Sequence, residues 1–142
     1  MAMSNRERVG KSLELLADGL RPFVERELKS RLKENWQSVV SKPPGSGPVK
    51  WSDPQILLQV MCDQWNIVFK DLFGTAERSL VFELKDARNK WAHNEQFSSN
   101  DTLRAIDSVH RLLESVSAPE PAGEVDAMRM DLMRVIFDDK RR

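Results

Sequence analysis

Apolar residues recur every three or four positions along nearly all of the 142-residue chain, and this period commits it to helices. The first run carries Val9, Leu13, Leu16 and Leu20, then Phe23, Leu28, Leu32 and Trp36. Gly19 and Pro22 interrupt it, so a bend or break is expected there. A second run is "WSDPQILLQVMCDQWNIVF". A third places Leu80, Leu84, Ala87 and Trp91 on one stripe, and a fourth places Leu103, Ile106, Val109, Leu113 and Val116. No stretch alternates with the period of a strand. The fold class is therefore all-α: an antiparallel helical bundle of four main helices with a C-terminal helical extension.

Capping residues divide the runs. Ser4 or Asn5 opens the first helix. Ser52 or Asp53 opens the second, with Pro54 in its first turn, where a missing N–H costs nothing. Gly74 and Thr75 precede the third, and "FSSND" precedes the fourth. "SKPPGSGPVK" is the clearest loop, expected to be bent or disordered over 42–50. "SAPEPAGE" looks like a linker. The expected organisation is a helical domain over 1–117, a linker over 118–123 and a helical extension over 124–142. That extension has Met128, Leu132, Val135 and Ile136 to bury, so the chain is expected to be the first part of a longer, multidomain protein.

Charge and cysteine content exclude several functions. Lys+Arg and Asp+Glu are both 22, so no large basic face is available to grip duplex nucleic acid. The basic residues do concentrate near the start, where a local basic patch is expected. A lone cysteine, Cys62, rules out an intrachain disulfide and a Cys-rich metal site; in "LLQVMCDQW" it suits a small core position. Neither a Gly-rich phosphate loop nor a metal-ligand cluster is present, so no cofactor and no metal are expected. No apolar run is long enough for a membrane helix, and the opening residues lack a signal-peptide core, so a cytoplasmic protein is expected.

"ARNKWAHNEQF" holds the chemistry. Arg88 and Asn89 are followed by His93, with four residues between Arg88 and His93. "HNEQFSSND" is poor helix material, so the third helix should end near His93 and free its imidazole. Histidine titrates near neutrality and suits general acid or base work. A guanidinium presents a planar fork matched to phosphate oxygens. The same residues also suit a helix-end cation and a C-cap side chain. His110, in "DSVHRLL", fits a packed helix position, and the four tryptophans fit core or interface anchors.

The Arg-polar pair followed by His resembles the signature of the HEPN superfamily. The flanking text "ERSLVFELKDARNKWAHNEQFSSNDTLRAIDSVHRLL" and the start "NRERVGKSLELLADGLRPFVERELK" resemble the Swt-type HEPN domain, over residues 4 to about 117. The resemblance implies a metal-independent endoribonuclease. Arg88, Asn89 and His93 would form a composite site across a homodimer, acting on single-stranded or looped RNA. It also implies the defence-associated and toxin-like settings of such domains. An alternative is a non-catalytic HEPN module that dimerises, or binds RNA or protein, to regulate a larger protein; a third is a plain helical adaptor. Arg88 and His93 in one open groove would favour cleavage, and an ion pair away from any groove would favour interaction.

Overall fold

The structure is a computed structural model describing residues 3–39 and 49–141. Among these every regular element is helical. Helix α1 spans Asn5–Leu32 and continues into a 3-10 segment, Lys33–Val39. Helix α2 is Pro54–Asp63, followed by a π-helical turn, Trp65–Phe69. Helices α3 (Thr75–Ala92), α4 (Ser99–Ser115) and α5 (Pro119–Arg141) complete the chain. Most of the expected 42–50 loop lies outside the described residues.

The caps follow the sequence closely. Ser4 accepts from the Glu7 N–H, and Glu7 answers by accepting from the Ser4 N–H, a full capping box. Those hydrogen bonds hold the Glu7 carboxyl below its ordinary range. Asp53 caps α2 through the Gln55 N–H, with Pro54 in its first turn. Ser98 caps α4 through the Asp101 N–H.

Three expectations change. First, α1 continues through Gly19 and Pro22 without the break that was one of the two expected outcomes there. The proline ring deprives the Asp18 carbonyl of its partner, but both residues face solvent, where water can satisfy it. Gly19 lies under the α4–α5 corner: a Cβ there would overlap Leu113 and stand 3.1 Å from Ala118 and Pro121. Its role is close approach. Second, the run 51–69 is two elements. The α-helix stops at Gln64, and a wide turn closes with the Lys70 N–H on the Trp65 carbonyl at 2.7 Å. Trp65 and Phe69 then stack on Phe73, with ring centroids 5.7 and 6.5 Å away. Third, residues 119–123, expected as linker, form the first turns of α5. Proline is tolerated at such a start, and Ala122 is already buried. The connection from α4 to α5 is residues 116–118, with Ser117 in left-handed conformation at φ 58°.

One core joins all five helices. Val9, Leu16, Leu20 and Leu28 of α1 meet Leu57, Leu58 and Met61 of α2, Val81 and Leu84 of α3, and Ile106, Val109 and Leu113 of α4. Val125 and Leu132 of α5 are fully buried in the same cluster. α1 packs against all four other helices, α4 against α1, α3 and α5, and α2 against α1 and α3.

Candidate functional site

Helix α3 ends as its sequence suggests, with His93 as C-cap. Asn94 follows in left-handed conformation, φ 59°. Its N–H bonds to the Trp91 carbonyl at 3.2 Å, and the Glu95 N–H to the Lys90 carbonyl at 3.0 Å. This paired closure is a Schellman motif, with asparagine in the position usually taken by glycine. It turns the chain sharply toward α4 and leaves His93 exposed at the corner.

α1 holds that corner. The Asn5 side-chain amide donates to the Phe97 carbonyl at 3.1 Å, just before α4. Trp91 lies against Gly10, where a Cβ would sit 3.0 Å from Nε1, and the Arg6 guanidinium covers its ring at 4.9 Å. Contacts from α1 thus flank His93 in sequence, at Trp91 and at Phe97.

Asn89 is exposed, and its backbone carbonyl accepts the His93 N–H at 3.0 Å. At 100° per residue, Phe82, Asp86, Asn89 and His93 share one stripe of α3. All four are exposed, and Phe82 is half exposed although large and apolar. Arg88 lies about 120° from Phe82 and 140° from His93 around the helix axis, on the side toward α2. There Nη2 stands 3.7 Å from Asp53 Oδ2, with the Arg88 side chain only 20% exposed. This is a charge contact without hydrogen-bond geometry. The two oxygens of Asp53 divide their work: Oδ1 caps α2 and Oδ2 faces Arg88.

The groove beside α3 involves neither Arg88 nor His93. Glu83, Asp86, Lys90, Phe97, Asp101 and Arg104 are among its lining residues, where α3 meets α4. Arg104 and Ser108 both bond to the Glu83 carboxylate. The structure therefore brings Asn89 and His93 to one exposed stripe, sets Arg88 apart against Asp53, and leaves the groove to other residues. Among the described residues, no cluster of His, Cys, Asp and Glu is arranged to hold a metal.

The remaining candidates pack. His110 lies between Glu114 at 3.7 Å and Asp126 at 3.9 Å, linking α4 to α5. Cys62 is half-buried, and burial pushes its thiol up from the ordinary range, away from thiolate chemistry. Trp36 packs on Trp51 with ring centroids 5.5 Å apart. No described helix is long and apolar enough to cross a membrane.

A family model described as Swt1-like HEPN matches residues 11–117. The chain belongs to the Swt1-like HEPN family. The match runs from the second turn of α1 to the left-handed residue after α4, and takes in Arg88, Asn89 and His93. α5 lies beyond the match, although its apolar face completes this HEPN core. Among curated proteins and among solved structures, none matches the chain.

Proposed function

We propose that this HEPN domain is a metal-independent endoribonuclease whose site uses His93, Asn89 and Arg88 and is completed across a homodimer. The observation that carries the reading is His93 itself: an exposed imidazole, held at a rigid corner by the Schellman closure, within the matched family region. RNA brings its own nucleophile, the 2′-hydroxyl. His93 would take that proton, or give one to the leaving 5′-oxygen. Arg88 would meet the charged phosphate with its fork, and Asn89 would orient the imidazole or donate to the phosphate. A second copy would supply a second His93, so that base and acid come from two chains. The exposed Phe82, on the stripe of Asn89 and His93, supports a partner on this side of α3.

The Arg88–Asp53 contact favours the second reading, a HEPN module that binds without cutting, because the guanidinium already has a counter-ion and stands outside the groove. One experiment separates the two. The purified domain is incubated with mixed RNA in EDTA, beside His93→Ala. Cleavage that persists in EDTA, leaves 2′,3′-cyclic phosphate ends and disappears in the variant is the expected result. Ends carrying 5′-phosphates, or activity lost with chelation, would exclude this chemistry. Cleavage equal in the variant would assign the activity to something other than His93.

A further inference from the structure

Arg8 has no assigned role and lies in the first turns of α1, outside the family match. It is 7% exposed, and arginine is seldom so buried without a carboxylate beside it. No carboxylate stands within 4 Å of it among the described residues. Its one side-chain hydrogen bond among the described residues is from Nη1 to Asn5 Oδ1, at 3.2 Å. The nearest acid in sequence, Glu7, is engaged in the capping box. A guanidinium has five donors, and among the described residues no buried side-chain nitrogen or oxygen lacks a partner, so Arg8's unused donors reach solvent. The stem is enclosed and the fork has an open edge.

Its placement is fixed by the amide that holds it. The Asn5 Nδ2 donates to the Phe97 carbonyl, and its Oδ1 accepts from Arg8 Nη1. Arg8 is therefore tied, through one side chain, to the connection that begins at His93. Two residues further on, Gly10 meets Trp91, so Arg8 lies between the two places where α1 touches this corner. Arg6, over Trp91, is a separate α1 cation about 200° around the helix from Arg8, and it forms no ion pair among the described residues. A largely buried guanidinium with no carboxylate within 4 Å among the described residues can take an incoming anion at its open edge, and a fork already held in place loses little entropy on meeting it.

We infer that Arg8 is a phosphate-binding residue: its preset fork holds a backbone phosphate of the RNA strand that passes the His93 corner. This rests on the ribonuclease reading and adds to it a binding position on α1.

The test uses an RNA oligonucleotide with 2′-O-methyl groups, which binds but cannot attack itself. Its affinity is measured by fluorescence anisotropy across a salt series for the unaltered domain and for Arg8→Gln. Lys11→Gln serves as control, because Lys11 is an exposed α1 cation already 3.9 Å from Glu14. Arg8→Gln is expected to weaken binding about tenfold and to make the salt slope shallower by about 1, while Lys11→Gln binds like the unaltered domain. Unchanged affinity in a folded Arg8→Gln overturns the inference, even if the domain cleaves RNA. Should Arg8→Gln fail to fold, Arg8→Lys replaces it; it keeps the charge, loses the fork, and must still bind more weakly. Should the domain bind no RNA, the ribonuclease reading fails separately, and inorganic phosphate decides for Arg8. A melting temperature raised by phosphate over equal ionic strength of chloride, and not raised in the variant, keeps the anion site; no rise removes it.

Discussion

At the residue scale, Asp53 holds two roles that substitution can separate. Oδ1 caps α2, while Oδ2 neutralises Arg88 at 3.7 Å. Asparagine caps a helix about as well as aspartate, so Asp53→Asn keeps the first role and removes the second. The pair is partly solvated and lacks a hydrogen bond, so its loss should change stability by less than about 1 kcal/mol. The Arg88 fork would then be free for phosphate. If Arg88 serves the RNA, Asp53→Asn should bind the uncleavable oligonucleotide several-fold more tightly and melt within a few degrees of the unaltered domain. An equal or weaker affinity in the folded variant would remove Arg88 from the site. This ion pair was not legible in the sequence, because the two residues are 35 positions apart and meet only when α2 packs on α3. By contrast, the helix end at His93 was legible, since the polar run after it offers no apolar face to continue a helix. Arg8 escaped notice for a related reason. Nothing local marks an arginine that becomes buried, and its unpaired state depends on where Glu7 turns and where Phe97 arrives.

At the element scale, the periodicity of α1 and α4 located their buried faces but not their width: Leu15, Ala17 and Val24 of α1 and Thr102, Ala105, Ser108 and Leu112 of α4 are buried as well, because both helices pack on several neighbours at once. The errors came where a local rule met a tertiary use. Gly19 looks like a helix breaker and serves as a contact. Gly19→Ala tests this directly. Alanine is intrinsically better in a helix by roughly 1 kcal/mol, so an unconstrained site would be stabilised. Here the added methyl overlaps Leu113, which is fully buried and cannot swing into solvent, and crowds Ala118 and Pro121. Overpacking of that kind costs roughly 1–3 kcal/mol, so net destabilisation of about 1 kcal/mol is expected in urea unfolding. A more stable Gly19→Ala would show that the α1–α5 corner yields easily. The same corner explains the misplaced linker. "SAPEPAGE" has a loop's composition, yet two of its residues, Ala118 and Pro121, are the surface against which Gly19 closes, and packing drew the segment into a helix.

At the scale of the whole molecule, the single chain carries half of what the proposed chemistry asks for. His93 is exposed on a stripe with Asn89 and Phe82, while Arg88 faces α2 about 140° around the same helix. One imidazole cannot stand on both sides of a scissile bond, so base and acid roles require two copies or leave one step to water. A two-fold axis beside the α3 stripe would bring two His93 side chains together and cover two half-exposed Phe82 rings. Sedimentation should then show a dimer at micromolar concentration, and cleavage per chain should rise with protein concentration until the dimer saturates. Phe82→Glu, placed on the stripe but outside the core, should shift the sedimentation toward monomer and reduce cleavage in parallel, with helical content and melting retained. Mixing unaltered protein with excess His93→Ala should depress activity beyond simple dilution, because mixed dimers would hold one imidazole. A domain that sediments as a monomer at high concentration, or whose rate per chain is independent of concentration, would exclude a shared cleft. RNA cleavage by such a monomer would then have to be assigned to groups on one chain, with His93 serving in one step and water in the other.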